Sequence, residues 1–279
     1  MDSLATQVIA DSLKDTHSES GGSWILHHVM DGNYLDFTPF GKIYLPHLEL
    51  FGFDISITRH VVFMWLAAIL LTYVFIKVAK SYQNSLVPKG STNFWEVFIV
   101  FVRDEIAKPT IGKGYERFLP YLLTAFFFIL FGNFLGLIPF SATFTSNIAV
   151  TATLATMSFL VIQLGGIKNN GFFGYFKGLI PHGVPVFLLP IMVVVELLGL
   201  FTKPFALAIR LFANMTAGHI VIYALISLIF VMQSYLISPV SVGMALFIYG
   251  LEVLVALLQA YIFTMLSSLF IGMAVHQEH

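Results

Sequence analysis

Residues Ala206–Ser227 read ALAIRLFANMTAGHIVIYALIS. The run is long enough to cross a bilayer, whose hydrocarbon core of about 30 Å needs roughly 20 helical residues. It nevertheless holds Arg210, Asn214 and His219. An arginine at the centre of a membrane helix costs roughly 2.5–3.5 kcal/mol on insertion-based scales, so a guanidinium kept there has a use.

The composition around this stretch sets the class. The chain has 279 residues, of which 58% are hydrophobic and only 10% charged, with mean hydropathy +0.87. A soluble domain carries about 25% charged residues, so the chain reads as a polytopic membrane protein. A net charge of -1 supplies no basic field for nucleic acid. The absence of cysteine excludes disulfides, thiolate metal sites and iron–sulfur clusters.

Residues 1–58 are polar and irregular and lack the basic segment and short apolar core of a signal peptide, so they read as an extramembrane N-terminal segment. The remainder, 59–279, reads as one membrane domain. A first span is expected at about Val61–Val78. Asn93–Ala107 is amphipathic and too polar to cross, which predicts a helix lying along the interface. Further spans are expected at about Leu119–Pro139 and Asn147–Ile167, joined by FSATFTS, and KNNGFFGYFKGLIPHGVP reads as a turn-rich loop. Val186–Ile237 is apolar except for Glu196, Lys203, Arg210, Asn214, His219 and Gln233, and the final stretch, Val240–Met273, contains Glu252 and Gln259. Hydropathy alone cuts Val186–Ile237 into two spans; two long tilted helices packed as a hairpin fit the same residues.

Lys and Arg set orientation. The segment from Lys77 to Arg117 holds seven and the loop before Pro181 holds two, whereas the N-terminal 58 residues hold only Lys14 and Lys42. The N-terminus is therefore expected outside, and with five spans the C-terminal tail falls on the cytoplasmic side.

At 100° per residue, Glu196, Lys203 and Arg210 stay within about 40° of one another and Asn214 falls on that side, while His219 lies on about the opposite face. Glu252 and Gln259 share a face of the final helix. Two polar faces on neighbouring helices suggest a water-accessible path. Blander readings stand beside this one: Lys203 can snorkel to the interface, His219 can be a packing histidine, and Glu196 and Lys203 lie on one line but too far apart for a direct pair. Glu252, among apolar and small neighbours, is costly unless neutral, paired or wet.

These residues resemble a known family. FALAIRLFANMTAGHIV is similar to the signature of subunit a of the rotary (F-type) ATP synthase membrane sector, with its arginine, Leu-Phe, Asn four residues on and an ionisable residue nine on. LEVLVALLQAYIFTMLSSLFIGMA resembles that family's last helix, and FGNFLGLIP its second span. The resemblance implies an all-α fold of about five membrane-spanning helices plus an interfacial amphipathic helix, with the last two helices forming a hairpin against a ring of c subunits. It implies a stator without a catalytic site of its own and without cofactors, partnered by the c-ring, b-type peripheral stalk subunits and the rest of the complex in a bacterial inner membrane. Arg210 would be the fixed cation that meets each ring carboxylate in turn. Asn214 and Gln259 would line the same region, and His219 and Glu252 would form an ionisable pair on the uptake side, in the reverse order from many bacterial members. Glu196 and Lys203 would complete the proton path. An ion-translocating subunit of a secondary transporter or antiporter is the alternative, but the two halves show no repeated hydropathy pattern or paired broken helices.

Overall fold

The computed structural model describes residues 32, 34–36, 42–46, 49–50, 53–54, 56–84, 90–138, 141–178, 186–232 and 237–276. Ahead of the first long helix, strands β1 (Tyr34–Asp36) and β2 (Lys42–Tyr44) pair antiparallel, as do β3 (Glu49–Leu50) and β4 (Phe53–Asp54). The described part of this segment is thus not wholly irregular. It is tied to the first span by the Arg59 amide, which donates to the Gly32 carbonyl at 3.0 Å.

Eight helices follow among the described residues. They are α1 (Arg59–Asn84), α2 (Ser91–Phe101), α3 (Lys108–Ile111), α4 (Leu119–Gly136), α5 (Ile148–Asn170), α6 (Phe172–Gly178), α7 (Leu189–Met232) and α8 (Ser238–Val275). Five of them, α1, α4, α5, α7 and α8, are long and apolar enough to cross a membrane. In hydrocarbon each backbone group needs an internal partner, which a continuous helix provides.

Chemistry at the helix ends explains most boundaries. Asn147 caps α5 by accepting the Ala149 amide at 2.9 Å. Pro120 and Pro239 stand in the first turns of α4 and α8, where a missing N–H is harmless. Gly112 and Gly114 have φ of 73° and 87°, a backbone that favours glycine, and they end α3 and turn the chain into α4.

The long apolar run resolves as one helix. At 1.5 Å per residue the 44 residues of α7 extend about 66 Å, more than twice the hydrocarbon thickness and far longer than a perpendicular crossing needs. The 38-residue α8 packs against it. Residues Phe172–Gly178 are helical rather than turn-like: Gly171, with φ 72°, ends α5, and the aromatic run after it folds back so that Tyr175 is buried on Gly166. The rest of that predicted loop, 179–185, lies outside the described residues, as does Gln233.

The predicted amphipathic helix exists as α2 continued by a π-helical turn, Val102–Ala107. Phe94 and Val97 are exposed on one side, while Val102, Ile106 and Ala107 are fully buried in the main core with Ile111, Phe126, Phe127 and Ile271. Beside the turn, Arg103 grips Asp104 through two hydrogen bonds of 3.0 and 2.8 Å, and Lys108 pairs with the same carboxylate. The Arg103 guanidinium first, then Lys108, holds the Asp104 carboxyl well below the usual carboxylate range. Small polar residues stitch the bundle: Ser158 to Ser267 at 2.8 Å and Thr110 to Ser268 at 2.6 Å. Gly272 lies directly on the Thr110 carbonyl, where a Cβ would collide with backbone.

Candidate functional site

Two glycines on α4 make room for the site. A Cβ at Gly132 would overlap the Phe144 ring, and one at Gly136 would overlap Thr143. The segment joining α4 to α5 therefore lies against α4. Between the glycines, the fully buried Asn133 donates to the Ala256 carbonyl of α8 at 3.3 Å and accepts the Thr145 hydroxyl at 2.6 Å. The placement puts Thr143 Oγ1 2.7 Å from His219 Nε2.

On its other side His219 Nδ1 lies 3.8 Å from Glu252 Oε1. This is ion-pair range but longer than a hydrogen bond. Glu252 is buried, and neither of its oxygens has a hydrogen-bond partner among the described residues. Gly218 permits this approach, because a Cβ there would overlap the Glu252 carboxylate.

The pair sits closer than its sequence positions predict. Taking Pro239 as the turn places Glu252 about seven residues, roughly 10 Å, out of register with His219. The observed pairs Arg210–Gln259 and His219–Glu252 instead centre near residue 235, because Pro239 is already inside the first turn of α8. The offset vanishes.

Gln259 Nε2 donates to the Arg210 carbonyl at 3.0 Å and fixes the backbone beneath the guanidinium. That guanidinium makes no hydrogen bond or ion pair among the described residues. Ala206, Ala213, Asn214 and Ala217 are exposed, and helix geometry places all four within about 60° of Arg210. Arg210 thus points out of the molecule through a patch of small side chains, whereas His219 points into it.

Glu196 and Lys203 do not pair with each other. They line a cavity of about 480 Å³ between α5, α7 and α8, together with Gln163, Tyr175, Phe270 and His276. Lys203 Nζ stands 5.1 Å from the centre of the Phe270 ring, a cation–π contact. Pro204, inside α7, cannot donate to the Leu200 carbonyl, and both residues border the same space. Gln163 Nε2 is buried there with no hydrogen-bond partner among the described residues.

The structure therefore sorts the seven residues singled out by sequence into three places: His219 with Glu252, Arg210 with Asn214 and Gln259, and Glu196 with Lys203. Sequence reading missed Asn133, Thr143, Thr145 and Gln163. Their signal was present as uncharged polar residues in FGNFLGLIP, FSATFTS and the third span.

A family profile described as ATP synthase A chain matches residues 61–272. ATP synthase subunit a of Chloroherpeton thalassium is 57% identical over 258 residues, covering 91% of this chain and 77% of the relative. ATP synthase subunit a 2 of Chlorobaculum tepidum is 53% identical, covering 92% and 74%, and the subunit a of an Anaeromyxobacter species is 49% identical, covering 94% and 73%. With the profile spanning most of the membrane domain and these identities running over nine-tenths of its length, the chain belongs to the ATP synthase subunit a family.

Proposed function

We propose that Arg210 is the fixed cation of a rotary stator and that two half-channels reach it from opposite sides of the membrane. Membership of the family makes the chain the proton-translocating subunit of an ATP synthase. The observation that carries the finer reading is the Arg210 guanidinium, held inside a span without a partner among the described residues and aimed outward through Ala206, Ala213 and Ala217. Small residues allow another helix to approach closely. The occupant of this face is a ring of c subunits, each with one membrane-embedded carboxylate, and b-type stalk subunits complete the stator.

The outer half-channel runs through Thr143, His219 and Glu252, and the inner one is the cavity lined by Gln163, Glu196 and Lys203. Along α7, Arg210 stands about 13 Å from His219 and about 10 Å from Lys203 at 1.5 Å per residue. An arginine keeps its proton in a protein. An opposite charge within about 4–6 Å favours the ionised form of a carboxylate, and low dielectric favours the neutral form. A ring carboxylate is then ionised at Arg210 and neutral facing lipid, and the arginine repels hydronium. Protons pass only when the ring turns. Each charge crossing 100 mV releases about 2.3 kcal/mol.

Sided inhibition tests the two paths, and a chain without native cysteine suits it. Single cysteines replace Thr143 or Gln163 in the assembled complex, and a small impermeant thiol reagent is added to one compartment. The Thr143→Cys complex is blocked only from the outer face and the Gln163→Cys complex only from the cytoplasmic face. Inhibition of both from one face would refute the arrangement and the orientation with it.

A further inference from the structure

Helix α1 is the least embedded of the five spans, and its side chains mostly face outward. Its buried positions are His60, Ala67 and Val78. Two of these are small or aliphatic and ordinary for a packed helix. The third is an imidazole that is 2% exposed at the outer end of the helix.

His60 Nε2 lies 3.4 Å from the Ser146 hydroxyl. Ser146 also donates to the Thr143 carbonyl at 2.6 Å, and Thr143 in turn meets His219, which faces Glu252. Two imidazoles are therefore bridged by one short polar turn, Thr143–Ser146, with a buried carboxylate at the inner end. Among the described residues the charged and titratable groups around this line are Arg59 on α1, Tyr223 and His219 on α7 and Glu252 on α8. Tyr223 lies within electrostatic range of both Arg59 and Glu252, so one site unites the start of α1 with the inner end of the line.

We propose that His60 is the outermost proton relay of the path to Glu252, receiving protons from the outer aqueous phase and passing them to His219 through water held along the Thr143–Ser146 turn. The inference rests on the outer half-channel proposed above. The step balances: hydronium protonates the neutral ring of His60 and leaves as water, His60 releases the proton to water beside Ser146, and it moves through water to His219 and Glu252, which gives it to a ring carboxylate; each group of this chain then returns to its starting state. An imidazole suits the task because one ring nitrogen can accept a proton while the other donates one.

The test is proton-driven ATP synthesis by the whole complex in liposomes, with the pH of the outer compartment varied from about 5.5 to 8.5 at constant driving force. His60→Ala slows synthesis about fivefold or more at the alkaline end and less at the acid end, where hydronium is plentiful. Imidazole added to the outer compartment restores much of the rate. His60→Asn, which can keep a hydrogen bond to Ser146 but cannot titrate, is slow in the same pH-dependent way and decides the matter if His60→Ala does not assemble.

Wild-type rates at every pH overturn the proposal. So does a loss of equal size at every pH, or one that His60→Asn repairs, since either is what a packing role produces. Glu252→Gln is measured in parallel. If it is slow while the His60 variants are normal, only the relay fails; if it too runs at the wild-type rate, the outer half-channel itself is wrong.

Discussion

Arg210→Ala abolishes proton-driven ATP synthesis and ATP-driven proton pumping while the complex still assembles. Assembly survives because the guanidinium has no partner among the described residues whose loss would unfold the chain, and the backbone at this position is held by Gln259 rather than by the arginine side chain. Function fails because the nearest cation along the helix is Lys203, two turns away and engaged with Phe270. Without a fixed charge the ring carboxylate loses the attraction that favours its ionised form, worth about 1.4–4 kcal/mol where a neighbouring cation lowers a carboxylate pKa by the usual one to three. Arg210→Lys recovers little, since an ammonium on a flexible stem is a point charge that deprotonates readily when buried. Pumping by assembled Arg210→Ala complexes at the wild-type rate would remove the basis of the stator reading.

Proton uptake from the outer face falls about tenfold or more in His219→Gln or Glu252→Gln, within the range for a lost proton-transfer group. The expectation comes from geometry: the carboxylate is buried without a hydrogen bond, and the imidazole 3.8 Å away is also held by Thr143. Exchanging the two residues retains more flux than either single loss, because one imidazole and one carboxylate remain in the line and titrate as a coupled pair. The effect of the pair variant is smaller than the sum of the two single effects, as for residues in direct contact. Rates of proton-driven synthesis between about pH 6 and 8 decide it. Unchanged rates in all three variants mean that the pair is packing and that protons enter elsewhere.

What could be read from the sequence divides along a physical line. Spans are set by local hydropathy and a 3.6-residue period, so the five crossing helices were legible from residues near one another, whereas the expected stripe of Glu196, Lys203, Arg210 and Asn214 is divided between an internal cavity and the outward face. The register of the α7–α8 hairpin was not legible. Pro239 looks like a breaker, but a proline is tolerated in a first helical turn, and the pairs Arg210–Gln259 and His219–Glu252 are centred several residues earlier. Thr143, Ser146 and His60 were hidden for another reason: their partners stand 76 and 86 positions away, and nothing in FSATFTS distinguishes a linker from a lining. Gly132 and Gly136 were visible as part of a motif, yet their use, admitting Phe144 and Thr143 against α4, emerges only when the segment is folded over them. Likewise Gly171 reads correctly as a break, but the burial of Tyr175 that makes a helix of the following aromatics is a tertiary effect.

The central claim is that the Arg210 side of α7 faces the ring carboxylates. Disulfide cross-linking in the assembled complex tests it most directly, with one cysteine in the c subunit beside its membrane carboxylate and one in this chain. Asn214 is exposed one turn from Arg210, while the adjacent Met215 is 1% exposed and turned into the bundle. Asn214→Cys is expected to give the cross-linked product and Met215→Cys to give none. Product from Met215→Cys with none from Asn214→Cys would place the ring on another face and contradict the account.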